Sequence, residues 1–238
     1  MADVQQVVRD VYQINMGMVN AYLLAAEQDL VLIDTGRPGR EGELLNAVRK
    51  MGKQPADISR ILVTHLHADH TGNLAALKAA TGAPASMHGE DARLVEQGVS
   101  SRPCQPAPGL LNWLFVRIMM PLFTSSGVEP AVIEEELQDG DVLDIARGLE
   151  VIHVPGHAAG QVAFLWREQG GVLFAADAAA NRGGLGYPPL FEDQELALAS
   201  LRKLAGIDFS TACFGHGAPL LEGADRAFRK KWGQSDVR

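Results

Sequence analysis

The sequence predicts an α/β protein: a four-layer αββα sandwich, two mixed β-sheets packed face to face and flanked by helices. Three observations predict it. Strand-like apolar runs and amphipathic helical stretches follow one another in two successive halves of the chain. Runs such as Leu30 to Ile33 and Ile61 to Val63 are almost wholly apolar, the mark of central strands covered on both faces. The 238 residues, 47% of them hydrophobic, suffice for one large core, so residues 1–238 are expected as one domain with an apolar insertion at about 98–127.

Taken in order, Val4 to Ile14 and Val19 to Ala25 are β-prone, and Glu27-Gln28-Asp29 turns the chain into Leu30 to Asp34. These read as antiparallel strands, the last delivering a polar residue at Asp34-Thr35-Gly36. After the loop Arg37-Pro38-Gly39, Glu41 to Met51 carries Leu44, Leu45 and Val48 at helical spacing. Arg60 to Thr64 is the next strand. Leu74 to Ala80 reads as a helix stopped at Thr81-Gly82, Ala85 to His88 as a short strand, and Glu90 to Gln97 as a helix. From Gly98 to Pro108 the composition shifts to Ser, Pro and Gly, an insertion that leads into the apolar run Gly109 to Phe123. Strands are expected again over Val132 to Leu137, Asp141 to Ile145 and Leu149 to Pro155, then a hairpin of Gln161 to Trp166 with Val172 to Ala176. A glycine-rich loop (Asn181 to Pro189), a helix (Asp193 to Ala205), a strand (Phe209 to Phe214) and a helix (Leu221 to Trp232) complete the chain.

Composition excludes several functions. A net charge of −8 argues against a protein that neutralises phosphates, so nucleic acid is not the expected partner. No stretch reaches the roughly 18 apolar residues of a membrane span. Met1 to Asp10 lacks an apolar leader core, and a cytoplasmic protein is expected. Cys104 and Cys213 form neither a disulfide framework nor a C-x-x-C pair and read as ordinary thiols.

Chemistry is concentrated in Arg60 to Asn73, R-I-L-V-T-H-L-H-A-D-H-T-G-N. The strand ends at Thr64, and His65, His67, Asp69 and His70 follow within six positions, imidazole and carboxylate being donors that suit zinc and related metals. His65 and His67, two apart, project to one side and can share an ion, while Asp69 and His70 are placed to reach a second. Further ligands are expected in loops after strands, and three places offer them: Pro155-Gly156-His157, Asp177 after an apolar strand, and Gly215-His216-Gly217.

These motifs, in this order, resemble the metallo-β-lactamase superfamily over nearly the whole chain. The resemblance implies the αββα sandwich with its site at one edge of the two sheets. It implies that His65, His67 and His157 hold one metal, that Asp69, His70 and His216 hold a second, and that Asp177 bridges them. The implied cofactor is two zinc ions, with iron or manganese as alternatives. Asp34 matches the family's first acidic position and, with Thr64, reads as a group that orients the ligands. His153, inside a strand, and His88, at the end of one, read as packed or hydrogen-bonded histidines.

The expected function is a dinuclear metal-dependent hydrolase that attacks an ester, lactone or thioester carbonyl with metal-bound hydroxide, Asp69 handling the proton. Departures from individual branches narrow this. Only a short tail follows His216, where glyoxalase II-like enzymes carry a glutathione-gripping helical extension. There is no cysteine ligand of the kind some β-lactamases use, and Asp177 supplies the bridging aspartate that others lack. Acyl-homoserine lactonases carry a tyrosine three residues after the bridging aspartate, where this chain has Ala180, leaving Tyr187 as a substitute. The acidic balance disfavours RNase Z-like nucleases, and the flavin domain and glutamate ligand of flavodiiron proteins are not seen. Two alternatives stand: a mononuclear-iron sulfur (persulfide) dioxygenase, and a metal-binding module without turnover.

The substrate is expected to be a small molecule with an apolar or acyl part, met by the insertion. Trp113, Phe115, Val116, Ile118, Met119, Leu122 and Phe123 leave little polar face on a helix there, so something must cover it. The cover is a cleft lid, a homodimer contact or, least suited to a segment with Arg117 as its one cation, a membrane surface. If the segment is a lid, deleting Leu110 to Phe123 raises KM for long acyl substrates far more than for short ones; steady-state kinetics showing equal effects on both would exclude that role.

Overall fold

A computed structural model describes residues 3–25, 30–109, 112–114, 116, 118 and 127–233. The first strands, β1 (Asp3–Val8) and β2 (Val11–Asn15), form a hairpin, so the β-prone stretch from Val4 to Ile14 is two strands. Its reversal falls at Arg9-Asp10, where Asp10 takes φ 68°, a conformation aspartate tolerates better than most residues. β3 (Asn20–Leu24) and β4 (Val31–Ile33) extend the sheet antiparallel. The turn expected at Glu27 to Asp29 lies outside the described residues.

α1 (Glu41–Lys50) carries the chain across the outer face to β5 (Arg60–Leu62), parallel to β4. α2 (Ala68–Thr71) and α3 (Leu74–Thr81) lead to β6 (Ala85–His88), which is followed by α4 (Gly89–Val95). The expected insertion is partly structured: β7 (Gln105–Pro106) lies within it. β8 (Glu135–Leu137) then pairs parallel with β6 and closes a seven-stranded sheet in the order β1-β2-β3-β4-β5-β6-β8. The strand expected from Val132 thus starts at Glu135 and completes the first sheet instead of opening the second half.

β9 (Val142–Leu143), β10 (Leu149–His153), β11 (Val162–Trp166) and β12 (Val172–Ala176) follow as an antiparallel series. Within the glycine-rich loop β13 (Ala180–Asn181) and β14 (Leu185–Gly186) make a small hairpin. β15 (Leu190–Phe191) pairs with β7, tying the insertion to the loop beyond Asp177. α5 (Gln194–Ala205), capped by the Asp193 carboxylate on Leu196 N at 2.9 Å, returns the chain to β16 (Thr211–Phe214), parallel to β12, and α6 (Ala224–Trp232) follows.

Period-2 patterning explains the layering. Val31, Ile33 and Leu62 meet Val162, Phe164, Val172 and Phe174 between the sheets. Leu32 and Ile61 face outward beneath Leu44 and Val48 of α1, and Leu165 and Leu173 face outward beneath α5 and α6. Among the described residues no helix is long and apolar enough to cross a membrane.

A polar staple joins the sheets at the edge where the strand ends meet. The Tyr22 hydroxyl donates to Phe214 O at 2.8 Å and accepts from Phe214 N at 3.0 Å, and Asn20 Nδ2 donates to Phe214 O and Gly217 O. Tyr22→Phe leaves a buried backbone N–H without its acceptor, which costs about 1–3 kcal/mol. We expect a lower urea midpoint with an unchanged denaturant slope; an unchanged midpoint would show that the staple adds no stability.

Candidate metal centre

Four strand ends from both sheets open onto one edge. β5 runs into His65 and His67, α2 carries Asp69 and His70, and the ends of β10, β12 and β16 lead to His157, Asp177 and His216. The structure brings all seven together. His67 Nδ1 lies 3.1 Å from His65 Nε2 and 2.9 Å from His157 Nε2. His216 Nε2 lies 3.0 Å from Asp177 Oδ2 and 3.4 Å from Asp69 Oδ2, and His70 Nε2 lies 3.6 Å from Asp177 Oδ1. Asp177 stands between the two groups, its Oδ2 also 3.5 Å from His157 Nε2.

In His65, His70, His157 and His216 the ring nitrogen that faces away from this cluster is held by an oxygen, and those bonds set the tautomers. His157 Nδ1 meets Leu190 O at 2.8 Å and His216 Nδ1 meets Met18 O at 2.5 Å, so both carry their proton outside and turn a lone pair inward. The Thr64 hydroxyl donates to the Asp34 carboxylate and accepts from His65 Nδ1 at 3.0 Å. Asp34 also takes Thr64 N at 2.8 Å and His70 Nδ1 at 2.8 Å. Asp34 and Thr64 therefore sit behind the histidines, where the sequence placed them.

Backbone geometry is bent to this purpose. Asp34 and Ala176, at the ends of β4 and β12, adopt φ 62° and 47°, left-handed values that cost a residue with a side chain roughly 1–2 kcal/mol. Each turns the chain so that a carboxylate, Asp34 or Asp177, enters the cluster. Gly215 leaves the room: a Cβ there would lie 2.1 Å from Asp177 Oδ1.

Burial and mutual repulsion hold His65 well below the ordinary imidazole range and bring His67 down to about 3; burial likewise lowers His157. Burial would also lower His70, but Asp34, Asp177 and Asp69 raise it to about 10. Burial would raise Asp177, yet His216 and His70 hold it well below the usual carboxylate range. The donor set passes a test of fit to cations. His70 Nε2 and Asp177 Oδ1 are buried without a hydrogen-bond partner, although both point into the cluster. Neutral His65, His67 and His157 beside the ionised Asp177 are donors of the kind divalent metals use, and a cation there would take the place of the proton that the carboxylates favour on His70. Three metal-sized groups are built from these residues alone: His65, His67 and His157; His65, His70 and Asp177; and Asp69, His70 and His216; a fourth joins His67 to Cys104 and Glu192.

The cluster floors a cleft of about 340 Å³ with Met18, Pro38, Ala68, Val116 and Leu190 in its walls. Val116 from the insertion reaches it. Trp113 does not line it and stands half exposed, and Phe115 lies outside the described residues. Tyr187, offered as a substrate contact, is not among the lining residues; its half-exposed ring packs against Trp232 and Phe191, with centroids 5.8 and 6.0 Å away. His88 and His153 stack on each other at 4.2 Å, and His153 Nε2 meets Ala159 O, as expected of structural histidines.

Sequence reasoning missed a buried ionic clasp beside the site. Asp91 on α4 is wholly buried and accepts from Leu66 N, between His65 and His67, and from Gly160 N, just past His157. Arg102 of the insertion bridges Asp91 at 2.6 Å and Glu192 at 3.3 Å, and Glu192 accepts from Ala159 N. A helix-start aspartate and a loop arginine carry no local signal of such a contact.

The model of the metallo-β-lactamase superfamily matches residues 14–216. The chain is 26% identical over 232 residues to the Bacillus subtilis protein named probable metallo-hydrolase YflN, covering 89% of this chain and 85% of that one. It is 29% identical over 202 residues to the thioesterase pkgB of Emericella nidulans, covering 85% of this chain and 46% of that one. A crystal structure of a subclass B3 metallo-β-lactamase of Bradyrhizobium japonicum shares the fold at TM-score 0.70 and 21% identity, over 96% of this chain and 90% of that one.

Stripping the metal should expose the histidine shifts as a pH-dependent stability. His65, His67 and His157 are depressed in the folded state, so their contribution is whole above an unfolded value of about 6.5 and is lost as pH falls below it. His70 is raised, so its contribution is whole below about 6.5 and is lost as pH rises toward about 10. Urea midpoints of metal-stripped protein should therefore fall on both sides of neutrality; a profile flat from about pH 5 to about pH 10 would contradict both assignments.

Proposed function

The chain belongs to the metallo-β-lactamase superfamily of metallo-hydrolases, and from that premise we propose a two-metal hydrolase, zinc-dependent, that opens an ester, lactone or thioester at its carbonyl. The observation that carries this reading is the convergence of seven donors, four of whose histidines have their outer ring nitrogen held by an oxygen. His65, His67 and His157 would hold one ion, Asp69, His70 and His216 the second, and Asp177 would serve both, its two oxygens facing histidines of each group. Bound there, two divalent ions would supply a water ionised near neutral pH and a polarised substrate carbonyl.

The residues of the chain do the rest. Asp34 and Thr64 keep His65 and His70 from rotating, and the carbonyls of Leu190 and Met18 do the same for His157 and His216. Asp69 differs from the other carboxylates here in being about a third exposed, at 36%, and it faces the cleft. Burial would raise it, but His70 and His216 hold it below the ordinary carboxylate value. It is thus ionised and placed to take the proton of the attacking water on a carboxylate oxygen and pass it to the leaving group. Met18, Pro38, Val116, Pro189 and Leu190 offer apolar contact to an acyl chain. The similarity to a thioesterase supports an acyl substrate, and the free cysteines suit a reducing compartment, the cytoplasm.

Metal analysis of protein purified without added metal should find two zinc ions per chain; one iron would point instead to the dioxygenase. Compared at metal content matched to wild type by loading with zinc, Asp69→Asn should lower kcat on ester, lactone and thioester panels by about 10²–10⁴-fold. Turnover equal to wild type would remove Asp69 from the proton path, and no turnover of any substrate by the zinc-loaded wild type would refute the activity.

A further inference from the structure

We infer that Arg182 is an anion subsite at the cleft rim, and that the preferred substrates of this hydrolase bear a negative charge on the part of the acyl group remote from the scissile carbonyl. The inference rests on the activity proposed above and names the substrate class for that site.

The charges around the cleft are unlike those of the chain. The protein carries a net charge of −8, yet Arg37, Arg102 and Arg182 line the cleft. Among the described lining residues the acids are Asp69 and Asp177, both turned to the histidine cluster. Arg102 is committed to structure, its guanidinium donating to Asp91, Glu192 and the carbonyl of Glu90. Arg182 is committed to little. Its guanidinium donates to Met18 O at 3.4 Å, long for such a bond, and among the described residues it pairs with no carboxylate. A guanidinium has five donors, so most remain for a ligand.

The backbone fixes where those donors stand. Asn181 N donates to His216 O and Ala218 N donates to Asn181 O, while a Cβ on Gly217 would lie 2.1 Å from Asn181 O. The two strands of chain touch, and Arg182 cannot drift from the His216 loop. Its guanidinium shares an acceptor with that ligand: Met18 O takes both Arg182 Nη2 and His216 Nδ1. Arg182 thus lies one imidazole and one carbonyl away from the converging donors. An acyl chain whose carbonyl lies at the cluster would bring its far end to the guanidinium past Met18 and the apolar wall. A planar fork of donors at the rim of a cleft favours a carboxylate or a phosphate, and the exposed guanidinium of Arg182 is open to one.

Matched p-nitrophenyl esters and thioesters of one chain length, ending in methyl, carboxylate or phosphate, test this with the zinc-loaded protein. Wild type should favour a charged end in kcat/KM by about tenfold, equivalent to roughly 1.4 kcal/mol. R182M should bring that ratio close to one, chiefly through KM, R182K should keep part of it, and added salt should shrink the wild-type ratio. The carboxylate and phosphate arms identify which anion is read. No preference in wild type, or the same preference in R182M, overturns the inference. If no ester or thioester is turned over, it is the proposed activity that fails. The subsite is then decided by calorimetry of glutarate against butyrate: a gap in affinity lost in R182M supports it, and an equal gap overturns it.

Discussion

Gathering five imidazoles and three carboxylates at one edge of two sheets, four of the imidazoles and two of the carboxylates buried, is the constraint on which the rest of this structure depends. An ionised carboxylate removed from water costs several kcal/mol unless it is paired and hydrogen-bonded, and Asp34 and Asp177 are each 3% exposed. Asp34 is satisfied within the protein by Thr64 and His70. Asp177 keeps one oxygen without a partner, facing a buried ring nitrogen in the same state. That difference is the physical ground for proposing Asp34 as a support of the histidines and Asp177 as a metal ligand. The left-handed turns at Asp34 and Ala176 are tolerated because they deliver these two side chains.

The sandwich supplies the position. β4 and β5 are parallel neighbours, so their ends deliver Asp34 and His65 side by side, and β12 and β16 do the same for Asp177 and His216. Those pairs belong to different sheets, and the two proposed metal groups would each draw donors from both. The geometry therefore depends on how the sheets are joined, which is why the Tyr22 and Asn20 staple lies at this edge and spans from β3 to the residues immediately before and after His216.

What the sequence disclosed follows the range of each interaction. His65, His67, Asp69 and His70 are legible because they lie in one short run whose chemistry has no other economical explanation. His157, Asp177 and His216 are legible because each follows a strand, and order along the chain links them. The double role of Val4 to Ile14 was not, since the reversal rests on one aspartate in a left-handed conformation. Neither was the sheet to which Glu135 to Leu137 belongs, because a strand's alternation does not name its partner. The packing of Tyr187 on Trp232, 45 positions further along the chain, was likewise not legible. The Arg102–Glu192 contact spans 90 residues and was invisible for the same reason.

That contact also explains how an irregular insertion can matter to an ordered site. Arg102 brings a charge from the insertion onto Asp91, the carboxylate that holds Leu66 N and Gly160 N. The loop between His65 and His67 and the loop after His157 thus hang from one buried anion, and that anion is neutralised from the insertion. Removing the arginine would leave Asp91 buried and uncompensated, the more costly half of a broken pair. Arg102 of the insertion and the loops that carry the histidines are therefore joined through one buried carboxylate. The two arginines on the cleft differ in kind for this reason: Arg102 faces acids that the fold has buried, whereas Arg182 faces the opening, where a ligand's charge is the partner left to it.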